Sequence, residues 1–222
     1  MVLEIAVFDL DSAFIAENAG ADRIELCHDY TSGGVTVSKE VLVSVKESIS
    51  IPVFPIIRPR GGNFVYSDEE YQQIIVSVLL CKSLGYKGIV TGILNNDNTV
   101  NMKQTSALVA LAYPMEVTFH RAFDETAVPE EALEDIIHCG CKRILTSGCK
   151  NTAIEGVDLL KKLVIQANGR ISIMPGGGIR PNNLPELLTT NALEFHSAAL
   201  KKENNLLSIS IIDIQAMKSI LS

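Results

Sequence analysis

An α/β fold, an eight-stranded (β/α)8 barrel of the TIM type, is what this sequence predicts, and three observations predict it. Short β-branched runs alternate with longer segments of helical period, eight times over in 222 residues. No linker, low-complexity tract or shift in composition interrupts residues 1–222, so a single domain is expected. The first turn between strand and helix, "VFDLDSA", has no glycine, which disfavours the rival doubly wound open sheet.

The units follow in order. "LEIAVF" leads to "DSAFIAENAG", "DRIELC" to "SKEVLVSVKES", and "PVFPIIR" to "SDEEYQQIIVSVLLCKSLG". "GIVTGIL" leads to "NMKQTSALVALAY", "MEVTFHRAF" to "PEEALEDIIHCG", and "RILTSG" to "NTAIEGVDLLKKLVIQANG". "RISIMPGGG" precedes "NNLPELLTTN", and "LEFHSAA" precedes the closing "DIQAMKSILS". Ser67 with Glu70 forms a capping box for the third helix, because each side chain can satisfy an amide that the first turn leaves open. Gly20, Gly85, Gly140 and Gly169 stand where helices end, each just ahead of the next strand.

Composition excludes some functions. The formal net charge is −7 and no basic run is present, so a nucleic-acid partner is not expected. "MVLEIAVFDLD" lacks a basic leader region, and the densest apolar run, "IIVSVLL", is too short for a membrane span. Five cysteines without framework spacing read as reduced thiols. Together these readings predict a cytoplasmic protein with no membrane partner. "HCGC" at 138–141 has the wrong spacing for zinc and falls at the barrel end opposite the expected site.

In this fold the active site lies at the C-terminal ends of the strands. Strand residues alternate faces, so 23, 25 and 27 share one side, as do 54, 56 and 58, then 116, 118 and 120, then 194, 196 and 198. If those faces point inward, Glu25, Arg58, His120 and His196 converge on the barrel mouth. Glu25, Arg58 and His120 are the candidate catalytic residues: a carboxyl and an imidazole for proton transfer, a guanidinium as anion clamp. Arg60, Ser147, Gly176, Gly177, Gly178, His196 and Ser197 are the candidate anion-binding residues. The triple glycine follows the seventh strand, where barrels often hold phosphate, and its amides are suited to an anion nest. Plainer readings stay open: Arg58 and Glu25 as a self-neutralising ion pair, the strand histidines as hydrogen-bonded structural groups, and the glycines as a tight turn. Glu4 and Glu116 lie nearer strand starts, where a stabilising role is expected.

The motifs "GADRIELC" (20–27), "IPVFPIIRPRGGNFVYSDEE" (51–70), "VTFHRAFD" (117–124), "RILTSG" (143–148), "PGGGI" (175–179) and "EFHSAA" (194–199) together resemble the CutC family. The resemblance implies a cytoplasmic TIM barrel, a homo-oligomer (dimer or tetramer), and a part in copper homeostasis with Cu(I) as cofactor or cargo. It implies Cys27 as a metal ligand. Many members carry a first-strand cysteine where this chain has Ala6, and an acid where it has Phe8, so Cys27 needs help from a histidine to hold a soft ion. Two functions follow as expectations: copper homeostasis with Cu(I) binding, or proton-transfer chemistry of lyase or isomerase type on a small anionic or phosphorylated metabolite. No lysine stands at a clear strand end, which argues against Schiff-base chemistry.

Overall fold

The structure, a computed structural model, describes residues 1–203 and 206–222. Eight strands run parallel around the barrel: β1 (Val2–Val7), β2 (Arg23–Leu26), β3 (Val53–Pro55), β4 (Gly88–Thr91), β5 (Glu116–Phe119), β6 (Arg143–Thr146), β7 (Ser172–Pro175) and β8 (Glu194–Ser197). The helices between and after them are α1 (Leu10–Asn18), α2 (Lys39–Ser48), α3 (Asp68–Ser83), α4 (Met102–Ala112), α5 (Pro129–Cys139), α6 (Val157–Ala167), α7 (Leu184–Leu188) and α8 (Ile211–Leu221).

Backbone ladders give the orders β3-β2-β1-β8 and β4-β5-β6-β7. Short contacts join the two at β3 and β4. Ile56 bridges Val90, the Ile57 amide donates to the Val90 carbonyl at 2.7 Å, and the Thr91 hydroxyl donates to the Ile57 carbonyl. At the other seam Gly176, just past β7, packs against His196 of β8.

The alternation along β1 shows how sequence becomes architecture. Leu3, Ile5 and Val7 join the apolar layer between strands and helices, while Glu4 and Ala6 turn into the barrel. All five are buried, as expected for a parallel sheet covered on both faces. The helices present matching stripes, such as Leu133 and Ile136 on α5, and Leu160 and Leu163 on α6. Their ends obey local chemistry. Ser67 and Glu70 form the reciprocal capping box on α3, and Gly140 ends α5 at φ 88°.

Inside the barrel the filling is mixed. Phe54 lies between two guanidinium groups, Arg23 and Arg143, each 5.2 Å from its ring centre. Space for the ring comes from Gly88, where a Cβ would sit 2.4 Å from two ring carbons. Arg23 also bonds Glu4 and Glu194, and Arg143 bonds Glu194 and Glu116. This charged layer is the barrel floor, and Glu4 and Glu116 take the structural places their positions near strand starts suggest.

Four features differ from the alternation read in the sequence. A hairpin of β9 (Leu200–Glu203) and β10 (Leu206–Ile209) fills the stretch before the last helix. That helix begins at Ile211, capped by Ser210, two residues ahead of "DIQAMKSILS". The sixth helical segment condenses to Val157–Ala167, and tight 3-10 turns occupy 30–32 and 121–125. Among the described residues no helix is long and apolar enough to cross a membrane. All five cysteines are free.

Candidate functional site at the barrel mouth

A cavity of about 230 Å³ opens at the C-terminal ends of the strands. Glu25, Arg58, His120 and His196 all line it, joined by Cys27 and by Gly177 and Gly178. Its apolar wall comes from Phe8, Ile56, Phe64 and Leu145.

Arg58 stands one residue beyond the β3–β4 contact at Ile57 and is only 5% exposed. Its guanidinium donates to the carbonyls of Ser32 at 2.8 Å, Gly34 at 3.2 Å and Gly62 at 2.7 Å. Phe64 lies under it at 4.7 Å. The loops after β2 and β3 thus wrap one cation. Gly33 and Gly34, at φ 79° and 87°, allow that wrap, as a Cβ on Gly33 would come within 3.2 Å of the guanidinium. No carboxylate pairs with Arg58 among the described residues, so the Arg58–Glu25 ion pair is not formed. Its Nε and the buried hydroxyl of neighbouring Tyr66 make no well-formed hydrogen bond, although the Arg58 guanidinium lies beside that hydroxyl.

His120 follows β5 and caps the turn at 121–125. Its Nδ1 accepts from the Ala122 amide at 3.2 Å, which leaves the proton on Nε2. That Nε2 is buried and has no partner. Burial, reinforced by the Arg58 charge, brings the imidazole down to about 3, so the ring is neutral near pH 7. Gly92 makes room for it, because a Cβ there would lie 2.6 Å from Nδ1.

Glu25 and His196 belong to a different chain of contacts. His196 meets Glu4 through Nδ1 at 2.8 Å, and its Nε2 lies 3.7 Å from Glu25. Burial alone would raise Glu4, but the Arg23 charge and the His196 hydrogen bond override it and hold the carboxyl at about 2. Burial would lower His196, yet its bond to Glu4 and the charge of Glu25 raise it. Glu25 is itself raised by burial. Cys27 donates to Glu25 at 3.4 Å, and burial together with that carboxyl pushes the thiol well above its ordinary range.

Other candidate residues lie elsewhere. Arg60 turns outward to Glu70, with Tyr66 under its guanidinium. The Ser147 hydroxyl donates to the Lys150 carbonyl and accepts from Arg121 at 2.9 Å. Ser197 donates to the Ile179 carbonyl and accepts from Arg180 and from the Ala199 amide. The Gly176 amide is spent on the Thr146 carbonyl. Only Gly177 and Gly178 of the glycine run reach the cavity, at φ 105° and 75°, with amides that donate to no described residue.

Three contributors lie outside the candidate residues. Asp124 accepts from the amides of Ser147 and Cys149 and from the Thr146 hydroxyl, tying the loops after β5 and β6 together. Tyr30 packs edge-on to Phe8 at 5.5 Å and helps enclose the mouth. Arg121, bonded to Asp124, also reaches the lining. Asp124 stands in "VTFHRAFD", and its acid beside a strand end was the available signal.

An eight-unit parallel barrel with a cavity at the C-terminal ends of its strands defines a TIM-barrel protein, a class whose sites lie at that face. The model of the CutC family matches residues 1–201, and the chain belongs to that family. It is 47% identical over 199 residues to the copper homeostasis protein cutC homolog of Homo sapiens, covering 89% of this chain and 73% of that protein. The crystal structure of a CutC protein from Streptococcus agalactiae superposes with a TM-score of 0.84 at 30% identity, over 89% of this chain and 98% of that one. Phosphoribosyl anthranilate isomerase from Thermus thermophilus, at 14% identity and TM-score 0.65 over 100% and 98%, is similar in fold alone.

Proposed function

We propose that this protein serves in copper homeostasis, the role for which its relatives are named, and that the barrel-mouth cavity is where it acts. The observation that carries this is the 47% identity with the human protein, sustained across 89% of the chain. Cu(I) is the cargo on this reading, and Cys27, a soft sulfur on the cavity wall, is the residue that meets it. The donor set does not fit a closed metal site within one chain. Ala6 lines the cavity without offering a second sulfur, and no three His, Cys, Asp or Glu side chains cluster for a metal among the described residues. Contact with copper is therefore open and exchangeable, with Glu25, 3.4 Å from the Cys27 sulfur, and His196, 3.7 Å from Glu25, as further donors. A cytoplasmic location and assembly as a homo-oligomer belong to the same proposal, and sedimentation of the purified chain tests the latter.

Cells lacking the gene, challenged with graded copper, test the role. Wild-type protein restores normal growth, and C27S restores less. Growth of the deletion strain that matches its parent at every copper concentration would defeat the proposal. Cu(I) titration against a competing chelator tests the contact: wild type takes up an equivalent that C27S does not.

A further inference from the structure

We propose that the barrel-mouth cavity binds a small monocarboxylate, its anionic end on the wall formed by Arg58 and His120 and its apolar remainder along Phe8, Ile56 and Leu145. This goes beyond the copper role and requires no metal.

The first ground is charge. Arg58 is buried, and its charge is met by backbone carbonyls and an aromatic face rather than by an acid. Carbonyl dipoles satisfy hydrogen bonds but leave a whole positive charge inside the protein, which is costly without a counter-ion. The acids nearest the cavity floor are committed elsewhere. Glu4 faces Arg23 and His196, and Glu25 faces His196 and Cys27. An incoming anion is the missing counter-charge.

The second ground is hydrogen bonding. His120 lines the same cavity, is 4% exposed, and holds its Nε2–H without an acceptor. Buried donors in folded proteins nearly always have partners, and an exception beside a cavity points to a ligand. Nδ1 is occupied by the Ala122 amide, so the imidazole stays a donor at Nε2. The Gly177 and Gly178 amides, on the same lining, are further open donors for an oxygen of the ligand.

The third ground is stoichiometry of charge and shape. Among the described residues, one unmatched guanidinium lines the mouth, Arg58; the other there, Arg121, already faces Asp124. A monoanion balances one cation, whereas a phosphate dianion needs a second. The apolar side chains of the lining give a short hydrocarbon or keto chain a place to lie, in about 230 Å³.

The test uses the full-length, copper-free protein at pH 7 and low salt, with three probes: pentanoate, the uncharged pentanamide, and inorganic phosphate. Calorimetric titration and thermal unfolding should show saturable binding and stabilisation by pentanoate, and neither by pentanamide. His120→Asn places an amide oxygen near Nδ1 for the Ala122 amide but lacks the Nε2 donor. It should stay folded and weaken pentanoate by about tenfold or more, the usual loss when a bond to a charged group disappears. Arg58 also holds two loops together, so Arg58→Gln is read only beside its own unfolding curve. Pentanoate no better than pentanamide overturns the proposal. So does phosphate binding in its place, or pentanoate binding unchanged in His120→Asn. Because copper is absent from every arm, none of these outcomes bears on the copper role.

Discussion

Gly92→Ala adds one methyl group where the structure has no room for it. The new Cβ would lie 2.6 Å from His120 Nδ1, 2.7 Å from its Cε1 and 3.2 Å from the Ala122 Cβ. Ordinary contacts begin near 3.4 Å, so the imidazole has to shift by about 1 Å. It cannot do so freely. Phe64 lies tilted against the ring at 4.8 Å, Phe119 stands edge-on at 6.2 Å, and the Ala122 amide is bonded to Nδ1. Overpacking of this kind costs about 1–3 kcal/mol, and the strained or lost hydrogen bond adds about 1. The expected total is about 2–4 kcal/mol, or a fall in Tm of roughly 5–15 °C for a chain of this size. Urea unfolding of four proteins measures it: wild type, G92A, H120A and the double variant. With the ring removed, the methyl group should cost little, so the cycle gives a large coupling term. A cost for G92A under about 0.5 kcal/mol, or the same cost with and without the ring, would refute the packing account of His120.

Three further outcomes are expected. His120 titrates at about 3 when folded, against 6.5 unfolded, so the unfolded chain binds the extra proton and stability falls as pH drops from 6.5 toward 3. The wild-type curve should drop below that of H120N by up to about 1.4 kcal/mol per pH unit through that window, and parallel curves would contradict it. Glu4→Gln uncouples Arg23 and His196 within the barrel floor and should cost about 3–5 kcal/mol in urea, whereas Glu134→Gln at the exposed Arg170 pair should leave the unfolding curve nearly unchanged. Asp124→Ala removes the acceptor for the Ser147 and Cys149 amides, so hydrogen exchange at those two amides should accelerate well before the β5 and β6 amides change.

Strand parity carried most of what was legible. Residues 25, 58, 120 and 196 converge because alternation is a backbone property, independent of what the loops do. The capping box at Ser67 and Glu70 was equally local. Loop residues were not legible in this way. Arg60 reads like a second clamp beside Arg58, yet Glu70, committed to capping α3, draws it outward. Ser147 and Ser197 stand at strand ends with free hydroxyls on paper. Their partners, the Lys150 and Ile179 carbonyls, reach them only through the turn geometry that follows. The hairpin at 200–209 shows no clean alternation of apolar and polar residues, so nothing marked its strands. The unmatched charge of Arg58 was also beyond sequence reading, since it depends on which carbonyls two glycine-bearing loops bring to it.

Nitrogen-15 NMR of the His120 imidazole, recorded as pentanoate is added at pH 6.5, tests the account of the mouth most directly. The structure predicts a neutral ring with its proton on Nε2, and an Nε2 resonance that moves saturably with the carboxylate and not with pentanamide. An imidazolium at that pH, a proton on Nδ1, or a resonance indifferent to the carboxylate would contradict it.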